Sequence, residues 1–342
     1  MKSPSLLVAF AVAALFQVTG RAAFADTVDI RLGTILPSGT PQHKLLLELN
    51  ERWRKDSAGG VKLTVFPDGR LGDEADMVVK IRNRQINAGL FTAVGLSEID
   101  PGATGLQLLP MMFRSWAEVD YVREKMRPKL EEQLRKKGYV VLFWADAGWV
   151  RFFSKAPAVT PDDIRKTKLF TWEGNEDQVK LMRSIGCQPV PSAATDVVLG
   201  LSSNRFNAVP LPPIVALASG MQKHAPHMLE LNWTPIVGAA IVKAEVWEKI
   251  PAADRKRLQA VAEITGENVR KVGRADNDEA ITAMRKNGLQ AHSLTPQAEK
   301  DWQALAADLH PKIRGKLVPP DIYDLVVDHL REFRAGSGSG AP

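Results

Sequence analysis

The chain has 342 residues, 45% of them hydrophobic, 25% charged and 7% aromatic, with a formal charge of +6. That length suits about two domains and that composition an ordinary folded core, which excludes a disordered or fibrous chain. The single cysteine, Cys187, excludes an intramolecular disulfide, an iron–sulfur cluster and a thiolate zinc site.

Residues 1–25 read as an export signal. Lys2 opens it, Leu6 to Phe16 carry no charge, and Ala23-Phe24-Ala25 form a small-x-small cleavage site. The apolar run falls short of the ~20 residues a bilayer requires, so cleavage near Ala25 is expected to leave a periplasmic chain starting near Asp26. Losing Lys2 and Arg21 lowers the net charge by two. So small a surplus, without an arginine-rich stripe or zinc-finger spacing, points away from nucleic acid. No later apolar run reaches membrane-spanning length, so direct membrane insertion is not expected.

Val28, Ile30 and Leu32 alternate with polar neighbours as a half-buried strand, and Thr40-Pro41 then caps a helix with Leu45, Leu49 and Trp53 on one face. Gly59-Gly60 ends that helix before a strand through Val61, Leu63 and Val65. A helix over 73–84, a strand over 88–93, a helix over 115–137 and a strand over 139–144 follow. This alternation predicts an open, mostly parallel sheet covered by helices, the first lobe. A second α/β block starts near Gly148, with strands over 149–154 and 168–172, helices from Thr160, over 173–185 and over 195–201, and a later strand over 238–242. Residues 252–286 contain no proline, and Leu258, Val261, Thr265, Val269 and Val272 form a stripe broken only by Gly266 and Gly273. About 35 residues at roughly 1.5 Å each span about 50 Å, longer than one lobe. The expected division is therefore lobe I over 26–147 and about 236–275, lobe II over 148–235 and about 290–334, a bridging helix over about 252–286, and a disordered Gly/Ser-rich tail over 335–342.

No nucleophile elbow, P-loop, G-x-G-x-x-G or H-E-x-x-H occurs, so nothing in the motifs indicates an enzyme, a cofactor or a metal. His224-Ala-Pro-His227 is a close histidine pair, but Pro226 disfavours the helix that would align two ligands. Phe91, Trp149, Phe152, Phe170, Trp172 and Trp233 fall at strand ends or adjoining turns, where open α/β sheets line a ligand crevice. Each could equally be plain core packing.

Several segments resemble the extracytoplasmic solute-binding proteins of TRAP-type (tripartite ATP-independent periplasmic) transporters. They are Ile30-Arg-Leu-Gly-Thr, the stretch 59–72 with Val65-Phe-Pro-Asp-Gly-Arg-Leu-Gly, Leu109-Pro-Met-Met-Phe-Arg, Pro161-Asp-Asp-Ile with Lys168-Leu, Gly186-Cys-Gln-Pro-Val-Pro and Val246-Trp-Glu-Lys-Ile-Pro. The resemblance covers nearly the whole chain after residue 26. It implies a periplasmic binding protein-like α/β fold of two lobes, hinge strands and one lobe-spanning helix. It further implies a protein that captures a small organic solute and delivers it to the membrane permease subunits of an ion-gradient-driven transporter.

The resemblance also marks where this chain departs from the family. Phe170 stands at the usual carboxylate-binding arginine, Val150 at a second arginine and Leu211 at an asparagine. Arg151 or Lys168 could replace a lost cation, Arg151 only if the strand turns it inward. The expected solute is thus neutral, aromatic or partly apolar, walled by Phe91, Phe170, Trp172 and Trp233, with Thr92, Asn175 and Arg151 as polar orienters and Trp149, Val150 and Leu211 as further ligand-binding positions. A periplasmic ligand sensor for a receptor, or a secreted hydrolase or lyase, is the alternative.

Overall fold

The computed structural model describes residues 27–337 apart from 174 and 175. The expected export signal, Asn175 and residues 338–342 of the expected tail lie outside the described residues.

The first lobe opens with β1 (Val28–Gly33), α1 (Pro41–Asp56) and β2 (Val61–Phe66). The Thr40 hydroxyl accepts the His43 N–H at 3.3 Å and so caps α1, satisfying one of the donors that a helix start leaves free. Then come α2 (Glu74–Arg82), β3 (Ala88–Thr92), α3 (Ala93–Ser97), α4 (Trp116–Lys136) and β4 (Tyr139–Trp149). The chain crosses to the second lobe as β5 (Arg151–Ser154), continues through α5 (Pro161–Arg165), β6 (Lys168–Trp172), α6 (Glu176–Ser184), β7 (Gln188–Ser192) and α7 (Val197–Ser202), and reaches β8 (Ala208–Leu211), α8 (Pro213–Ala218) and β9 (His227–Leu229). It returns as β10 (Pro235–Lys243) and α9 (Ala244–Trp247), followed by α10 (Ala252–Lys286), β11 (Gln290–His292), α11 (Pro296–Ile313) and α12 (Pro320–Ser337).

The sheets run β2-β1-β3-β10-β4 and β11-β9-β5-β8-β6-β7. Both are mixed rather than mostly parallel. β10 lies antiparallel between β3 and β4, and β5 antiparallel between β8 and β9. The reversed strand in each sheet is the one arriving from the other lobe, so its direction is set by the crossing and not by its own residues. β7 carries Pro189 and Pro191, which a sheet tolerates only at an edge, and β7 is an edge.

Alternate residues of each strand enter opposite cores. In β6, Leu169 packs with Phe152 and Trp302, whereas Phe170 packs with Phe153, Phe206 and Val209. α10 packs Leu258, Ala262 and Val269 against the first lobe and Met284 against the second, so it spans both. α12 differs from expectation. Its Ile322, Val326 and Leu330 join Val119, Val122 and Met126 of α4 in the first lobe's core, which removes it from lobe II. α11 likewise begins in the second lobe with Trp302 and ends in the first with Ile313. Residues 335–337, expected in the tail, close α12.

Candidate functional site

Two crossing segments form the hinge. They pair with each other, since Val150 N–H donates to the Thr234 carbonyl at 2.8 Å and Trp233 N–H to the Val150 carbonyl at 3.1 Å. Beside them Gly148 has φ +108, and a Cβ there would lie 2.0 Å from the Asn277 amide of α10. The Asn277 side chain accepts from Ile214 N–H of the second lobe at 3.2 Å and donates to the Ala147 carbonyl of the first at 3.3 Å. The lobes meet again where Ala194 N–H donates to Asp73 at 3.2 Å.

Between these contacts lies a cavity of about 270 Å³. Phe91, Thr92, Val150, Phe170, Trp172, Leu211 and Trp233 all line it. Trp149 and Arg151 do not. Trp149 packs against Trp116 in a tilted pair with ring centroids 4.9 Å apart, which ties the hinge strand to α4. Arg151 is half-buried, and its charged neighbours are Glu230 and Asp278. Lys168 is exposed at the far end of its strand and also stands outside the lining.

Residues that the motifs did not single out complete the walls. Trp302, Leu305 and Leu309 of α11 extend the apolar surface, and Trp302 packs on Phe152 and Trp233 at 5.4 Å from each. The polar lining includes Gln42, Glu74, Gln107, Asp146 and Thr171. Among the described lining residues there is no arginine, lysine or histidine.

Both carboxyl groups of the lining are held by the protein. Glu74, the first residue of α2, is 6% exposed. It accepts Thr92 N–H at 2.8 Å, the Thr92 hydroxyl at 2.6 Å and Gly95 N–H at 3.0 Å. Burial outweighs these bonds and pushes its carboxyl up to about 7. Asp146 is fully buried, with Arg123 at 3.3 Å and Arg274 Nε at 2.9 Å. Both guanidinium groups also reach Asp120, each at 2.6 Å. Arg274 lies over the Trp116 ring, 4.5 Å from its centroid. Arg123 and Arg274 are therefore committed to Asp120 and Asp146.

Two α/β lobes, a pair of crossing strands, a lobe-spanning helix and an interlobe cavity define a periplasmic-type solute-binding protein. Residues 32–316 match the model of the bacterial extracellular solute-binding protein family 7, DctP, and the chain belongs to that family, the solute-binding proteins of TRAP transporters. The C4-dicarboxylate-binding periplasmic protein DctP of Rhodobacter capsulatus is 23% identical over 301 residues, 86% of this chain and 89% of its own. Among solved structures, the sugar acid binding protein DctPAm from Advenella mimigardefordensis in complex with galactonate gives a TM-score of 0.83 at 17% identity, covering 90% of this chain and 99% of its own. A TRAP periplasmic solute binding protein from Shewanella oneidensis with bound succinate gives 0.81 at 16% identity, covering 89% and 99%.

Proposed function

We propose that this chain, exported to the periplasm, encloses a small uncharged and partly apolar organic solute between its lobes and hands it unchanged to a TRAP permease. The observation that carries this reading is the lining itself, in which aromatic and aliphatic walls surround two carboxyl groups and the described residues supply no cation. A carboxylate enclosed there would lack a partner, at a cost of several kcal/mol even after relaxation. An apolar group the size of a phenyl ring gains about 1.5 to 3 kcal/mol from burial and needs no counter-charge. The positions where the family resemblance places cationic and amide groups carry Phe170, Val150 and Leu211, which fits the same preference.

Calorimetry against succinate, galactonate and neutral aromatic alcohols tests the reading. The neutral compounds should bind and the acids should not. Tight succinate binding would refute it, whether or not it survives Arg151→Ala. Uptake of the bound neutral compound by vesicles carrying the cognate permease tests delivery, and recovery of the compound unaltered tests the absence of turnover.

A further inference from the structure

We propose that the solute carries a hydroxyl or amide group at each of two ends of its apolar body, one met by Gln42 and the other by Thr171. This rests on the reading of the cleft as a site for uncharged solutes. Gln42 lies in the first turn of α1 in the first lobe and is 4% exposed; Thr171 lies near the end of β6 in the second lobe and is 2% exposed. Both line the same cavity. Neither the Gln42 side-chain oxygen nor the Thr171 hydroxyl has a hydrogen-bond partner among the described residues.

Several other polar groups of the wall are already engaged. The Gln107 side-chain oxygen accepts Val237 N–H at 3.2 Å, while Glu74 and Asp146 hold the partners described above. Gln42 on the first lobe and Thr171 on the second thus each keep an unpaired side-chain oxygen among the described residues. Native proteins pair nearly all their buried polar groups, so unpaired oxygens on residues that line one cavity mark places for a ligand to satisfy. Their chemistry narrows its class. A carboxamide presents one donor face and one acceptor face, and a hydroxyl can do both, so each is matched by a group that donates as well as accepts. A carboxylate only accepts and cannot serve the Gln42 oxygen. A solute bonded to both lobes at once also stabilises the closed form over the open one.

The test uses three probes on one carbon skeleton, 1,4-benzenedimethanol, 4-methylbenzyl alcohol and terephthalate, titrated calorimetrically into the whole protein. The diol should bind about tenfold more tightly than the mono-alcohol, one charge-free hydrogen bond's worth. Gln42→Leu and Thr171→Val should each erase that tenfold gap. Because each variant removes an unpaired buried polar group, neither should lower the urea midpoint of the unliganded protein. A gap that persists in either variant, or a loss of affinity accompanied by an equal loss of stability, overturns the inference. Equal binding of diol and mono-alcohol with weak terephthalate overturns this inference alone. Terephthalate binding more tightly than the diol overturns the uncharged-solute reading beneath it, and binding of neither alcohol overturns both.

Discussion

Glu74 should make the protein less stable as the pH rises through neutrality. Its carboxyl is lifted from an ordinary value of 4.5 to about 7 by burial, so the folded chain keeps a proton that the unfolded chain has already released. Where the folded state binds more protons, stability falls with pH. The loss begins near pH 4.5 and levels off above about 7. At 1.36 kcal/mol per unit, it amounts to about 3 kcal/mol in total. Glu74→Gln fixes the neutral shape. Its amide nitrogen accepts none of the bonds that Thr92 and Gly95 donate to the carboxyl oxygens, which adds a constant offset of about 1 kcal/mol. That offset does not depend on pH, so the informative quantity is the difference between wild type and variant. Urea unfolding followed by tryptophan fluorescence from pH 4.5 to 8.5 should show the wild type losing about 3 kcal/mol relative to the variant across the window. A pH-independent difference would refute the assignment of a neutral Glu74.

Asp146→Ala should cost about 3 to 5 kcal/mol in urea unfolding, because Arg123, only 2% exposed, keeps its charge in the core and loses one of its partners; a loss under 1 kcal/mol would contradict this. Gly273→Ala places a methyl group 2.4 Å from the Asp146 carbonyl oxygen and should cost about 1 to 3 kcal/mol by forcing α10 off the hinge strand. A thermal midpoint at or above wild type would show that the helix yields freely. Asp73→Ala removes both the α2 N-cap, where Asp73 accepts Glu74 N–H at 2.8 Å, and the bond from Ala194 N–H. Stability should fall by about 1 kcal/mol, and in stopped-flow the bound solute should leave faster. An unchanged off-rate would mean that this interlobe bond does not hold the lobes closed.

Much of the fold was legible because its signals are local. Thr40-Pro41 opens α1 and Gly59-Gly60 follows it, while Pro251 and the absence of proline up to Lys286 bracket α10. Gly266 and Gly273 appeared as breaks in the α10 stripe, and the structure gives them a purpose. A Cβ at Gly266 would fall 2.5 Å from Phe143, and one at Gly273 would strike the Asp146 carbonyl. These are the points where the long helix lies closest on β4. What was not legible is what depends on distant chain. The antiparallel course of β10 follows from the return crossing, and the docking of α12 on α4 joins two apolar faces that neither segment reveals alone.

The site divides along the same line. Phe91, Phe170, Trp172 and Trp233 could be placed at the cleft because strand ends are where such sheets open. Trp149 and Arg151 escaped that rule because they flank Val150 at the crossing, where Val150 lines the cavity while Trp149 packs against Trp116. Gln42, Glu74 and Thr171 carried no signal at all, since a glutamine or glutamate in a helix's first turn and a threonine in a strand are ordinary surface choices. Only enclosure makes them unusual. Apolar walls raise the energetic weight of each unpaired polar atom, so in a cleft without cations a few neutral groups govern which solute is accepted. On the proposed reading, specificity rests on hydrogen-bond complementarity within a mostly apolar cavity, which a pattern of residue types along the chain does not encode.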